Sequence, residues 1–319
     1  MTIGIAVVGA GRWGSNHIRN LLAMPRCRLR WVCDTSPAAL VAIGQRFPGV
    51  VTAQRLDNVL GDAAVQAVVI AAPASAHAAL ATACLQAGKH VLVEKPLSTV
   101  LDDARALVAA AERAGRVLHV GHLCLHEPGV QRIRRLIEDG ALGPLCVIDT
   151  DRTSQPGASL DVNVVWDLAV HDISIANFWA GAVPLRVAAV GTTDPSGRVA
   201  VVSALLQYPS GALARLRASW LGPAKVRRAV ATGQCGVALF DALDRAAPVL
   251  FDDGKGPYAV DDVAAGEPLR IELECFLDAI ADGAPSPADG QAGLDVARVL
   301  VAADRSLAAG GALVAVAPH

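Results

Sequence analysis

Five short apolar runs, spaced through the first 120 residues, limit this chain's possible folds more than any other feature. They are Ile3–Val8, Arg28–Cys33 with its core from Leu29, Ala67–Ala72, Val91–Val93 and Val117–Val120. A strand with one wet face alternates polar and apolar residues, whereas a run apolar on both sides is a strand covered on both faces. Helical patterns fill the gaps: Trp13 to Met24, Pro37 to Arg46, Ala76 to Ala87 and Asp102 to Ala114. Glycine closes several of them, as at Ala87-Gly88 and Ala114-Gly115. Repeated β-α-β units of this kind predict an α/β domain, a parallel sheet with helices on both sides.

After about residue 121 the rhythm changes. Glu127 to Gly140 and Trp166 to Ala180 read as helices, followed by strands at Arg186–Val190, Val199–Tyr208, Ala212–Trp220, Val226–Thr232 and Val237–Phe240. Pro209-Ser210-Gly211 and Gly233 to Gly236 are hairpin-type turns, and helices at Arg270–Asp282 and Gln291–Ala309 finish the chain. The expected second domain is α+β, with a mixed, largely antiparallel open sheet. The division is expected at 1–121 for dinucleotide binding and 122–319 for substrate binding and oligomerisation, with the final helices able to pack back on the first domain.

Of the 319 residues 53% are hydrophobic, enough for two cored domains, and the net charge is −2 with no long basic block. That balance argues against nucleic acid or an anionic membrane surface as the main partner. No apolar run reaches the roughly 18–20 residues of a bilayer span, and Met1 to Gly11 lacks a basic leader, so it reads as a first strand and not a signal peptide. The seven cysteines form no C-x-x-C pair, so free thiols in a reducing cytoplasm are expected, with no structural zinc.

The first apolar run leads directly into Gly9-Ala10-Gly11-Arg12-Trp13-Gly14, which opens the first helix. In that strand–turn–helix context, G-x-G-x-x-G has a physical meaning. Gly9 permits the tight turn, Gly11 lets a pyrophosphate approach the backbone, and Gly14 lets helix and strand pack closely. Asp34 ends the second strand 20 positions after Gly14, where a carboxylate accepts from the adenosine ribose hydroxyls and repels a 2′-phosphate. NAD is the expected cofactor, with Ser36 and Arg12 keeping NADP open as the alternative. Ala72, Pro73, Ser75 and His77 follow the third run and would border the dinucleotide; His77 reads equally well as a surface residue at a helix start. Trp13 either packs near the cofactor or belongs to the core.

Glu94-Lys95-Pro96 ends the fourth run and so delivers a lysine to the carboxyl end of the sheet, where ligands bind in open α/β folds. Glu94 reads as a structural hydrogen-bonding residue. Asp167 and His171 lie four apart in the apolar segment around Trp166, on one face of a helix. A histidine carries a proton near neutral pH and a carboxylate one turn away can orient it. Transfer of hydride from an alcohol needs a base for the hydroxyl proton and a cation for the developing negative oxygen; His171 and Lys95 supply both without a metal.

These features together resemble the glucose–fructose oxidoreductase / inositol dehydrogenase / MocA family of NAD(P)-dependent sugar and polyol oxidoreductases. The glycine loop, the Glu94-Lys95-Pro96 strand end, the Asp167-x-x-x-His171 helix and their order carry the resemblance. Val120-Gly121-His122 through Pro128 and Gly140-Ala141-Leu142-Gly143 extend it over nearly the whole chain. The resemblance implies that Lys95 polarises the reacting oxygen, that His171 is the acid/base supported by Asp167, and that Pro96 follows a cis peptide bond. Gly11 through Asn16, Gly121-His122-Leu123 and Asp161 through Trp166 are similar to a subgroup linked to nucleotide-sugar modification. That subgroup often has tyrosine where His126 stands, and proline where Ser15 and Val170 stand.

The resemblance implies a cytoplasmic dehydrogenase acting on a secondary ring hydroxyl of a sugar, a nucleotide-linked hexose at C3, and a homodimer or homotetramer formed through the second domain's sheet. An inositol or free-sugar dehydrogenase, an NAD-retaining glycosidase-type enzyme and a non-catalytic NAD-binding regulator are the alternatives. His122, His126, Arg152, Asn163 and Trp166 are candidates for the substrate. Arg152, Gln155, Asp161 and Asn163 form a polar stretch before the catalytic helix, suited to sugar hydroxyls or simply to solvent.

Overall fold

A first strand with no exposed residue organises the first half of the fold: β1 (Ile3–Val8), α1 (Arg12–Leu22), β2 (Cys27–Cys33), α2 (Pro37–Arg46), β3 (Thr52–Ala53), α3 (Leu56–Gly61), β4 (Ala67–Ile70), α4 (His77–Gln86), β5 (His90–Glu94), α5 (Leu101–Ala114) and β6 (Leu118–Gly121). The computed structural model describes residues 2–154 and 161–318. The strands form a six-stranded sheet in the order β3-β2-β1-β4-β5-β6, with every described pairing parallel. The order reverses between β1 and β4, which makes the carboxyl end of β1 the place for a dinucleotide. Ile5, Val7, Val68, Ile70 and Leu92 are fully buried, as runs apolar on both faces require. Local signals set the helix ends. The Ser36 hydroxyl accepts the Ala39 N–H with Pro37 next in line, and Gly115 closes α5 in the left-handed region at φ +60°.

The second half runs α6 (Pro128–Glu138), β7 (Leu145–Thr153), a π-helical turn (Val165–Ala169), α7 (Val170–Ala180), β8 (Arg186–Thr193), β9 (Val199–Gln207), β10 (Leu213–Ser219), β11 (Val226–Gly233), β12 (Val237–Asp241), β13 (Val249–Asp252) and β14 (Tyr258–Ala259). Then come α8 (Pro268–Asp282), α9 (Gly290–Ala308) and β15 (Val314–Ala315). The nine-stranded sheet has the order β14-β13-β12-β11-β7-β10-β9-β8-β15 and is antiparallel except for β7 beside β10. The chain divides into two units, Met1–His122 with Leu269–Leu294 and Leu123–Pro268 with Asp295–His319.

The mixed, largely antiparallel sheet is as expected, but its central strand β7 was not anticipated. Its sequence, Leu-Cys-Val-Ile-Asp-Thr-Asp-Arg-Thr, looks too polar for an interior strand. The alternation explains it: Ile148, Thr150 and Arg152 are buried, while Asp149 and Asp151 face outward and pair with Arg215 and Arg217 of β10. Arg152 is therefore a strand residue and not part of the polar loop before α7.

Candidate active site

The glycine loop of the first unit is shaped by its own backbone. Gly9 has φ +100°, and a Cβ there would stand 2.4 Å from the Ala71 carbonyl oxygen. At Gly14 a Cβ would stand 1.8 Å from the Gly9 oxygen, so α1 starts hard against the turn. At Gly11 a Cβ would meet nothing within 4 Å. Gly11 is also the N-cap of α1, where no side chain accepts the first amides. Open approach, unclaimed N–H groups and the positive end of the helix dipole fit a pyrophosphate. Asp34 sits at the rim: Oδ2 accepts the Ala10 N–H at 2.7 Å and Oδ1 the Ser36 N–H at 2.8 Å, leaving lone pairs for ribose hydroxyls. Arg12 is exposed and Trp13 is 42% exposed, which rules out the core reading of Trp13.

Beside this loop, Ala72 and Pro73 follow β4 and Ser75 lies in a short 3₁₀ turn, Ala74–Ala76. His77 is buried, with Nδ1 2.8 Å from the Pro96 carbonyl oxygen and Nε2 2.9 Å from that of Ala72. It is not the surface histidine that its position at a helix start allowed; it ties the β4 loop to the β5 loop. The Lys95–Pro96 peptide is cis, as the resemblance implies, and Lys95 is half-buried. Glu94, the last residue of β5, bonds His17 Nε2 at 2.8 Å, and His17 is fully buried. Gly121 leaves Glu94 its space, since a Cβ there would come within 2.9 Å of Oε2. On α8, Glu272 is fully buried, and among the described residues neither of its oxygens has a hydrogen-bond partner. Burial, and then the Glu94 charge, pushes the Glu272 carboxyl well above its ordinary range, so it stays protonated. His122 follows β6 and is buried.

In the second unit the π-helical turn carries Asp167, and the α-helix that continues it carries His171. The Val170 N–H reaches back to the Val165 carbonyl, the five-residue step that defines the bulge. Asp167 and His171 lie four apart, one in the π-helical turn and the other in the first turn of α7. Trp220, buried just past β10, donates its indole N–H to Asp167 Oδ2 at 3.0 Å. Upstream, Asn163 Oδ1 accepts the Val165 and Trp166 N–H groups and its amide reaches Asp304 Oδ1 at 3.4 Å. Trp166, also buried, donates Nε1 to Asp304 Oδ2 at 2.6 Å. Asn163 and Trp166 thus have defined structural partners on α9, and burial pushes the Asp304 carboxyl up against the pull of those two donors. Gln155 lies outside the described residues.

Downstream, Asp172 and Arg152 form a buried ion pair, Nε to Oδ1 at 2.9 Å, linking α7 to β7. Burial raises the Asp172 carboxyl to about 6 although Arg152 opposes the rise, while Asp172 and Cys124 keep the Arg152 guanidinium firmly charged. Arg152 Nη2 also lies 3.6 Å from Cys124 Sγ. His126, in the 3₁₀ turn Leu123–His126, is buried, and desolvation lowers its imidazole to about 4, so it is neutral in the fold. Sequence reasoning missed Trp220, Asp172 and Asp304. Each lies in a segment whose apolar neighbours already explained its burial, and only the long-range partner reveals a polar task.

A dinucleotide loop on a doubly wound sheet, followed by a D-x-x-x-H helix on a mixed sheet, defines an NAD-binding oxidoreductase. The family model described as "Oxidoreductase family, NAD-binding Rossmann fold" matches residues 3–122, and the GFO/IDH/MocA C-terminal domain matches residues 130–238. The chain belongs to the GFO/IDH/MocA family. It is 32% identical to a UDP-N-acetylglucosamine 3-dehydrogenase of Acidithiobacillus ferrooxidans, over 93% of this chain and 94% of that one. The solved structure of that organism's UDP-N-acetylglucosamine 3-dehydrogenase GnnA superposes with a TM-score of 0.88 at 27% identity, covering 98% of this chain and 100% of that one. GenD2 from gentamicin A biosynthesis, solved in complex with NAD, gives a TM-score of 0.87 at 29% identity over 99% and 97% of the two chains. An inositol 2-dehydrogenase of Rhizobium meliloti is 27% identical over 97% and 98%.

Proposed function

We propose that this enzyme oxidises a secondary ring hydroxyl of a sugar, a nucleotide-linked hexose at C3, or reduces the matching ketone. The observation that carries the reading is the Asp167/His171 pair, with Asp167 set on a π-helical turn and tied by Trp220. A π-helical turn interrupting an α-helix is frequently found at functional sites. Similarity to a UDP-N-acetylglucosamine 3-dehydrogenase along almost the full chain supports the sugar and the carbon. Gly9, Gly11, Gly14 and Asp34 would hold the cofactor, bordered by Ala72, Pro73, Ser75 and the Glu94–Pro96 turn. NAD, when bound, exchanges hydride with the reacting carbon. His171 takes the hydroxyl proton in oxidation and returns it in reduction; Asp167 steadies the charged imidazole. Lys95 polarises the oxygen and stabilises its negative charge.

The test is a screen of nucleotide sugars, free sugars and inositols with NAD and with NADP, following nicotinamide absorbance. Lys95→Ala should lower kcat about a hundred- to ten-thousand-fold and leave the Kd for NAD within about twofold. A fully active variant would rule out this mechanism. Turnover on inositols alone would move the substrate class.

A homodimer or homotetramer through the outer face of the nine-stranded sheet belongs to the same proposal. That face carries the Arg215–Asp149 and Arg217–Asp151 pairs, exposed Val190 and a groove of about 570 Å³. A monomer by light scattering at micromolar concentration would sink it. No helix among the described residues is long and apolar enough to cross a membrane. Seven free thiols support a cytoplasmic setting.

A further inference from the structure

Two arginines face each other inside the second unit. The antiparallel register of β11 on β7 sets Arg227 directly opposite Arg152. Both belong to the inward set of their strands, in line with buried Ala229 and Ala231 on one and Ile148 and Thr150 on the other. Like charges directly opposite on neighbouring strands repel, and the repulsion grows where water is scarce. Such an arrangement calls for anions.

The anions present account for one arginine and not for the other. Asp172 is engaged by Arg152 through Oδ1. Glu127, the other acid facing the pair, makes no ion pair with Arg227 among the described residues, and burial pushes its carboxyl up, towards the uncharged form. Asp241 is taken by Arg228 at 2.6 Å on the outward side. Arg227 Nε is buried and has no hydrogen-bond partner among the described residues. Burial and the Arg152 charge lower Arg227's affinity for its proton, but a guanidinium keeps it at any physiological pH. The side chain lines a cavity of about 10 Å³ with Arg152, Glu127, Cys124 and Phe240. That is room for about one oxygen atom. A half-buried guanidinium whose buried Nε has no acceptor among the described residues, beside a cavity that seats one oxygen, offers a donor to a carboxylate or phosphoryl oxygen.

We propose that Arg227, backed by Arg152, forms a subsite for an anionic group of the substrate, a carboxylate or a phosphoryl oxygen. The proposal rests on the sugar-dehydrogenase reading and deepens it by naming the side chain that holds the substrate's charge. The cluster includes Asp172, the residue next to His171, so an anion seated there lies against the helix that carries the acid/base. Arg227 itself takes no part in proton or hydride transfer; it sets which substrate is held.

The test compares wild type and Arg227→Gln, both loaded with NAD, by calorimetric titration with three probes: UDP, UDP-N-acetylglucosamine and UDP-N-acetylglucosaminuronic acid. If the subsite reads a sugar carboxylate, the variant weakens the uronic acid at least tenfold and leaves the other two within twofold. If it reads a phosphoryl oxygen, all three weaken together by at least tenfold. Affinities for all three within twofold of wild type overturn the proposal, as does a wild type that binds none of them. Should Arg227→Gln fail to fold, Arg227→Lys keeps the charge without the fork and is read in the same way. Binding with no turnover of any sugar would defeat the dehydrogenase reading and leave the subsite standing. Turnover with an unaffected Arg227→Gln would do the reverse.

Discussion

The two sheets solve the burial of polar groups in opposite ways. In the parallel sheet β1 and β4 are apolar and buried throughout, and polar work falls beyond strand ends, where Asp34 and His77 bond backbone groups. In the nine-stranded sheet charge is taken inside: Arg152, near the carboxyl end of the central strand β7, meets Asp172 of α7. The first unit's chemistry is therefore written largely in backbone shape, the second's in side-chain pairs. A backbone site fails by crowding; a buried pair fails by losing one member.

The largest expected effect breaks the second kind. Arg152→Ala strands the Asp172 carboxylate in the interior and should cost about 3–5 kcal/mol, read as a fall in the urea midpoint. Adding Asp172→Asn should recover part of that loss. An unchanged midpoint would mean the pair holds nothing.

The next prediction concerns the first kind. Gly14→Ala places a Cβ 1.8 Å from a backbone oxygen that cannot yield. About 3 kcal/mol of stability and NAD affinity should be lost together. Gly11→Ala adds the same methyl to open space. Its melting temperature should match wild type, while the Kd for NAD rises at least about tenfold, ~1.4 kcal/mol. If Gly11→Ala melts early, the space beside Gly11 is not open.

The remaining effect is pH-dependent, is largest only in acid, and belongs to the second unit. His126 is neutral in the fold, with its pKa lowered to about 4, and the unfolded chain takes up a proton near 6.5. The unfolded state thus binds more protons between those values, so stability is full above about pH 6.5 and is lost as pH falls towards 4. The total is at most about 3 kcal/mol. His126→Gln should flatten that part of the stability curve in urea titrations at stepped pH. An equally steep acid limb in the variant would place the titrating group elsewhere.

What could be read without coordinates follows the same division. The runs Ile3–Val8 and Ala67–Ile70 betray buried parallel strands because nothing else makes both faces apolar, and G-x-G-x-x-G is legible because glycine alone tolerates those contacts. Strand β7 escaped because its outward aspartates are neutralised by arginines more than 60 residues away. The i, i+4 relation of Asp167 and His171 was visible, but the π-helical turn was not, since no residue type marks it. Asn163 and Trp166 looked like substrate contacts because their partner, Asp304, lies more than 130 residues further on.

That last tie has a consequence for how the enzyme comes into being. The segment leading into α7 is anchored on α9. During synthesis the glycine loop, β1 to β6 and even the Asp167–His171 segment leave the ribosome long before Asp304 is made. A nascent chain therefore exposes its glycine loop well before α9 exists, and the segment ahead of His171 gains its anchor only once α9 has been made.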